Sequence, residues 1–220
     1  MGGVFSLPPG EVPMYNTPPI MQVVQLDPET VLVAYTRGAF PMTDRDGATR
    51  WYTADPRGVV PLDDRFHVPR TLRQTVRKDP HAGGFEIRFN YGFENVMRAC
   101  RDTREDGSWI SDQLIDVYCR LHEKGHAHSV EAWKNGELAG GLYGVSLGGA
   151  FFGESMFHFQ RDASKVALVA LVARLREKGF ELLDAQASTP HLRTFGCHEI
   201  SAAEYMRRLR RALEKECSFR

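Results

Sequence analysis

The chain has 220 residues, 42% of them hydrophobic and 25% charged, the composition of a globular protein with one large domain or two small ones. Lys plus Arg number 28 and so do Asp plus Glu, so bulk charge attracts no polyanion and any nucleic-acid contact must come from local basic patches. No apolar run approaches the ~18 residues that span a bilayer, and no signal peptide is visible, which predicts a cytoplasmic protein without a membrane partner.

The first twenty residues carry five of the twelve prolines and no periodicity, which predicts a mobile or wrapping arm over 1–26. Met1-Gly2-Gly3-Val4-Phe5-Ser6 fits the loose N-myristoylation pattern, a short and common string. Asp27-Pro28 opens a helix as N-cap and first-turn proline, and Gly38 stops it. Residues 39–68 are rich in turn formers and aromatics, with Trp51, Tyr52, Asp55, Pro56 and Arg57 close together. A basic helix follows near 69–78, then an alternating strand at 85–90, then helical patterns at about 92–101 and 111–124. Ser111 caps the last of these and Gly125 ends it.

After residue 127 the texture changes. Residues 128–134 and 138–145 flank Asn135-Gly136, a strong hairpin signal, and 150–157 make a third strand. Asp162 is expected to cap a long helix closed by Gly179, residues 180–186 form a strand, and Ser201-x-x-Glu204 is a capping box for a last helix. The order β-β-β-α-β-α implies a mixed sheet whose final strand arrives by crossover and so lies parallel to a neighbour. That outline is shared by acetyltransferases and peptide-bond-forming transferases. The four cysteines (Cys100, Cys119, Cys197, Cys217) form no C-x-x-C pair and read as reduced thiols.

Three strings bear on chemistry. His122-Glu123-Lys124-Gly125-His126 matches the zinc-hydrolase expression H-E-x-x-H. That chemistry needs a continuous helix, yet Gly125 stands where the helix stops and His126-Ala127-His128 alternates into a strand, so no metal is expected. Glu154 ends the third strand, and alternation places it on the opposite face from Ser155. Asp184 and Gln186, two apart on the next strand, share a face. The carboxyl ends of adjacent parallel strands are where ligands sit in open sheets, so two carboxylates and an amide converge there. For each of them the plain alternative is a solvated or salt-bridged group at a strand end. The start of the long helix, with Ser164 and Lys165, suits an anion. Coenzyme A enzymes carry a glycine-rich pyrophosphate loop at this point, and residues 158–163 contain none.

Taken in order, Tyr35-Thr36-Arg37-Gly38-Ala39-Phe40-Pro41, Asp55-Pro56-Arg57, Ser108-Trp109-Ile110, the stretch from Leu121 to Glu131, Gly140-Gly141-Leu142-Tyr143-Gly144-Val145, GESMF at 153–157, Ala163-Ser164-Lys165, Asp184-Ala185-Gln186 and His191-Leu192 resemble the bacterial leucyl/phenylalanyl-tRNA–protein transferases over about residues 27–209. The resemblance implies an α+β protein with a small N-terminal α/β domain (27–80) and an acetyltransferase-like mixed-sheet domain (81–220). It implies transfer of leucine or phenylalanine from charged tRNA to the N-terminal α-amine of proteins beginning with arginine or lysine, which marks them for degradation. The partners are then aminoacyl-tRNA and those acceptor proteins, the protein acts as a monomer, and no cofactor is needed.

By the same resemblance Glu154 binds the basic acceptor residue, while Asp184 and Gln186 form a relay that helps the amine attack the ester. Leu142, Phe152, Met156 and Phe157 line the side-chain pocket, although any one of them would serve equally as plain core. Trp109 stacks on the terminal adenosine, and Trp51, Ser164 and Lys165 also contact the aminoacyl-tRNA. Arg70, Arg73, Arg77 and Lys78, with Arg207, Arg208, Arg210 and Arg211, are candidate phosphate contacts. Met42 and Tyr52 stand where the family usually has tryptophan, Leu142 where methionine is frequent, and residues 22–26 replace a glycine-rich stretch. These departures bear on how tRNA is held and on which amino acid is moved. An acetyl-CoA-dependent N-acetyltransferase, an H-E-x-x-H zinc hydrolase and a non-catalytic tRNA-binding module are the competing classes.

Overall fold

The computed structural model describes residues 21–22, 26–104 and 107–220. The arm expected over 1–26 and the N-myristoylation string lie outside the described residues, apart from Met21, Gln22 and Leu26.

Helix α1 (Pro28–Thr36) starts as its sequence dictates: the Asp27 carboxylate accepts the Thr30 N–H at 2.8 Å, and Gly38 turns the chain out at φ +75. Residues 39–68, rich in turn formers and aromatics, contain three strands, β2 (Phe40–Thr43), β3 (Thr49–Tyr52) and β4 (Arg57–Val60). With β1 (Met21–Gln22), β2 and β3 form a small antiparallel sheet in the order β1-β3-β2. The basic helix α2 (Arg70–Arg77) and strand β5 (Glu86–Phe89) follow, then α3 (Phe93–Asp102) and α4 (Asp112–Glu123), the latter capped by Ser111 Oγ on the Leu114 N–H.

Strands β6 (Ala127–Lys134), β7 (Glu137–Leu147) and β8 (Ala150–His158) run antiparallel. Helix α5 (Ala163–Glu177) crosses over to β9 (Leu182–Gln186), which pairs parallel with β8 as the element order requires. Asp162 precedes α5 in the left-handed region (φ +67) and makes no side-chain cap. Its carboxylate instead accepts Lys165 Nζ at 2.7 Å, so the expected cap is replaced by an ion pair. A short helix, α6 (Pro190–Arg193), strand β10 (His198–Ile200) and α7 (Ala202–Leu213) complete the chain.

The main sheet has seven strands in the order β10-β4-β9-β8-β7-β6-β5. Strand β4 thus leaves the N-terminal segment to sit between β9 and the edge strand β10. Two apolar cores flank the sheet. One gathers Tyr35, Phe93, Tyr118, Tyr143, Phe152 and Phe157 under α1, α3 and α4, and the other gathers Leu142, Met156, Leu168 and Leu171 under α5. No helix among the described residues is long and apolar enough to cross a membrane.

Candidate active site

The parallel strands β8 and β9 are paired only through Ala150–Phe152 and Leu182–Asp184. Beyond that point they part, and the residues at their carboxyl ends face each other across the gap. A bulge prepares each side. In β8, Tyr143 pairs with Ser155 and Gly144 with Gly153, so Glu154 is the extra residue. In β9, Gly58 pairs with Gln186 and Val59 with Asp184, which leaves Ala185 as the extra one. The first bulge cancels the alternation expected from sequence. Glu154 and Ser155 both turn toward the α1, α3 and α4 side, where Glu154 meets Tyr35 and Tyr118 and Ser155 meets Arg104. Close backbone approach explains two glycines: a Cβ on Gly58 would lie 2.5 Å from the Ala187 carbonyl carbon, and one on Gly144 2.3 Å from the Phe152 oxygen.

Across the gap, Gln186 Nε2 donates to Glu154 Oε1 at 2.9 Å. The Tyr35 hydroxyl donates to the same oxygen at 2.7 Å, and the Tyr118 hydroxyl makes a long contact of 3.5 Å to Oε2. Glu154 is 1% exposed, and burial pushes its carboxyl up to about 8; the charge of Asp184 acts the same way, while the Tyr35 and Gln186 hydrogen bonds and Arg57 oppose it. Burial likewise pushes the Tyr35 and Tyr118 hydroxyls well above their usual value.

Asp184 is held differently. Arg57 grips it at both oxygens, Nε to Oδ1 at 2.9 Å and Nη2 to Oδ2 at 2.6 Å. Tyr205 adds a hydroxyl to Oδ2 at 2.7 Å, and the main-chain N–H of Gln186 donates to Oδ1 at 2.8 Å. The Arg57 guanidinium also packs over the Phe40 and Tyr205 rings. The contact between Asp184 and Gln186 therefore runs through the backbone, not the side-chain amide. It fixes Gln186 in the left-handed region, φ +59, a conformation that a non-glycine residue adopts at a cost of order 1–3 kcal/mol. The amide is left free to reach Glu154.

Glu154, Asp184 and Gln186 are thus brought to one place. The expected side-chain pocket is divided: Leu142 and Met156 are direct cross-strand partners against α5, whereas Phe152 and Phe157 belong to the other core, with Phe152 against Tyr35 at 4.6 Å between ring centroids. Trp109 is half-buried and, like Met42, packs against that same core, and its main-chain oxygen accepts the Thr43 N–H. Trp51 is 6% exposed within the small sheet, and Tyr52 gives its hydroxyl to Asp44. Ser164 is buried in the first turn of α5. Arg57, Tyr35, Tyr118 and Tyr205 have no role that sequence alone assigns. Arg57 stands inside a short motif, but its partner lies 127 positions away, and nothing local signals that pairing.

The H-E-x-x-H string is divided as its glycine requires. Helix α4 ends at Glu123, Gly125 has φ +82, and His126 donates its N–H to the Leu121 oxygen. His122 stacks on Phe93 at 4.5 Å with Nδ1 2.8 Å from the Ala127 oxygen, and His128 sits between Asn90 and Ser146. Among the described residues no group of three metal-ligating side chains is found. The four cysteines are free thiols.

Comparison with known proteins agrees over most of the chain. The profile of the family described as leucyl/phenylalanyl-tRNA protein transferase matches residues 59–210, and that of its N-terminal domain matches residues 24–55. The leucyl/phenylalanyl-tRNA–protein transferase of Herpetosiphon aurantiacus is 52% identical over 89% of this chain and 98% of its own length. Those of Chlorobaculum parvum and Akkermansia muciniphila are 54% and 51% identical, each over 87% of this chain, and over 97% and 98% of their own lengths. Among solved structures, L-PGS from Bacillus licheniformis has a TM-score of 0.43 at 14% identity, covering 86% of this chain and 71% of that one, a likeness too loose to argue from. The profile matches and these identities place the chain in the leucyl/phenylalanyl-tRNA protein transferase family, and with it among the aminoacyltransferases.

Proposed function

We propose that the protein takes leucine or phenylalanine from charged tRNA and joins it, in the cytoplasm, to the α-amine of proteins that begin with arginine or lysine, marking them for degradation. The observation that carries this reading is the Glu154–Gln186 bond across the gap between β8 and β9. It sets a carboxyl group and an oriented amide side by side at the carboxyl ends of parallel strands, where ligands enter open sheets.

In this reading Glu154 receives the basic side chain of the acceptor's first residue. A cation there favours the ionised carboxylate and offsets the burial that holds its proton. Gln186 spends its Nε2 on Glu154, which leaves Oε1 to accept a hydrogen bond from the acceptor amine and aim the nitrogen lone pair at the ester carbonyl. The amine nitrogen attacks the carbonyl carbon, a peptide bond forms, and the ester oxygen leaves with a proton as the free tRNA terminus. The ester is already activated, so positioning supplies much of the rate. Asp184 acts by holding the Gln186 backbone, with Arg57 and Tyr205 holding Asp184. Leu142 and Met156 offer an apolar wall to the transferred side chain, with Phe152 and Phe157 behind them, and Trp109, Trp51, Ser164 and Lys165 take the terminal nucleotide.

Three antiparallel strands, a crossover helix and a parallel fourth strand that splays from the third support an acetyltransferase-like transferase unit over 81–220. A small unit over 27–80 precedes it and lends β4 to its sheet. The test is direct. Leucyl- or phenylalanyl-tRNA with a radiolabelled amino acid, mixed with the protein and a peptide starting with arginine, is expected to label the peptide, and the same peptide acetylated at its N-terminus is expected to stay unlabelled. Absence of label across several aminoacyl-tRNAs overturns the reading.

A further inference from the structure

Arg104, just past the end of α3, is a cation without a counter-ion among the described residues. Its Nε donates to the Cys100 oxygen at 3.2 Å and its Nη2 to Ser155 Oγ at 2.9 Å, while Nη1 donates to nothing among those residues. Among the described residues the ionisable groups that act on it are Cys100 and Tyr143, and burial lowers its affinity for the proton below the usual value. Arg57, by contrast, has the Asp184 carboxylate as its counter-ion. A cation removed from water without an anion is costly unless something supplies the missing charge.

The surroundings indicate what that is. The guanidinium carbon lies 5.7 Å from the centroid of the half-buried Trp109 ring, and Ser155, to which the guanidinium also donates, follows Glu154 directly on β8. The Tyr143 hydroxyl, which feels the charges of both Glu154 and Arg104, is buried and has no hydrogen-bond partner among the described residues. This positive charge, unpaired among the described residues, is therefore close both to an aromatic platform and to the strand that carries Glu154. An acceptor beginning with arginine or lysine is repelled by such a cation. A nucleotide stacked on Trp109 carries its 5′-phosphate one sugar away from the base, and the planar fork of an arginine matches a phosphate as a lone ammonium does not.

We propose that Arg104 binds the phosphate that joins the terminal adenosine of the charged tRNA to the nucleotide before it. The proposal rests on the function given above and adds a binding residue to it. A single ionic contact at this place ties donor affinity to the last internucleotide link.

The experiment compares two small donors with charged tRNA as reference: 3′-O-phenylalanyl adenosine, which has no phosphate, and the same ester with a 5′-phosphate. The wild-type protein is expected to use the phosphorylated donor at lower KM. Arg104→Met is expected to lower kcat/KM for the phosphorylated donor by about 10- to 100-fold and to lower it far less for the phosphate-free donor. Arg104→Lys, which keeps the charge, is expected to recover part of the loss. Equal losses on both donors, as a packing role requires, overturn the proposal. So does a wild-type protein indifferent to the phosphate, or a defect confined to the KM of the acceptor peptide. Transfer from charged tRNA by the wild-type protein, run alongside, separates these results from a failure of the function itself.

Discussion

In the proposed function Glu154 couples protonation to acceptor binding. Its carboxyl, pushed up to about 8 by burial, is mostly protonated at pH 7 in the empty site. A bound arginine or lysine side chain draws it into the ionised form. Binding of an arginine-initiated peptide at pH 7 is therefore expected to release a proton, read by calorimetry as a binding enthalpy that varies with the ionisation heat of the buffer. Glu154→Gln should remove that variation, and a wild-type enthalpy independent of buffer refutes the coupling. The same shift fixes a stability trend. Because the folded-state value, about 8, lies above the ordinary 4.5, the folded protein holds this proton more tightly than the unfolded chain. Glu154's contribution is complete below the ordinary value and is lost as pH rises through about 8. Urea unfolding across this range should show a shallower decline for Glu154→Gln.

Arg57 and Asp184, 1% and 0% exposed, form a pair whose separation leaves a charge in the core. Asp184→Asn should cost about 3–5 kcal/mol in urea unfolding and abolish most turnover. The double variant Arg57→Met with Asp184→Asn should regain part of the stability and none of the turnover. If Asp184→Asn unfolds like the wild type and transfers normally, Asp184 does not fix Gln186. Sequence spacing puts Asp184 and Gln186 on one strand and Glu154 on another, and their meeting follows from parallel strand order. The mode of contact does not. An amide bonded to Glu154 and a backbone N–H bonded to Asp184 depend on the left-handed turn at Gln186, which no local residue pattern announces.

Among the elements, those with a strong local signal are legible in the sequence: α1 with its aspartate cap, α4 between Ser111 and Gly125, the Asn135-Gly136 hairpin, α5 and the serine-capped α7. Strands β2, β3 and β4 are not. Each has four residues, and β4 is buried throughout, so no alternation marks it. The two bulges are invisible for another reason: a bulge is a mismatch between two strands, and one strand alone does not contain it. Gly58 and Gly144 are the residues that make the mismatches possible. Gly58→Ala drives a methyl group against the Ala187 backbone, and overpacking of this kind costs about 1–3 kcal/mol. Because the strain falls on the turn that orients Gln186, transfer should fall well beyond what the stability loss explains, measured as kcat at a temperature where the variant is fully folded. Wild-type kcat in that variant rules out a positioning role for the bulge in β9.

At the scale of the molecule, equal numbers of positive and negative side chains mean that tRNA must be drawn by local charge. The two basic helices are not equivalent. On α7, Arg207 and Arg208 pair with Glu204, and Arg211 pairs with Glu181. On α2, no carboxylate pairs with Arg70, Arg73 or Arg77 among the described residues, and only Leu72 turns into the core. Replacing those three α2 arginines with glutamine should lower the slope of log affinity against log salt by about 0.9 for each phosphate that is no longer neutralised, whereas the same change on α7 should move it less. Equal effects on the two helices would mean that the α7 pairs open when tRNA arrives.

The place of β4 has a practical consequence for dissecting this protein. Although β4 precedes residue 80, it is bonded on one side to β9 and on the other to β10. A fragment started at residue 81 would strip β9 of that neighbour, expose its donors and acceptors as a raw edge, and leave Asp184 without its arginine. Such a fragment should self-associate, and supplying the missing piece as a separate peptide that includes Arg57 should restore both solubility and transfer.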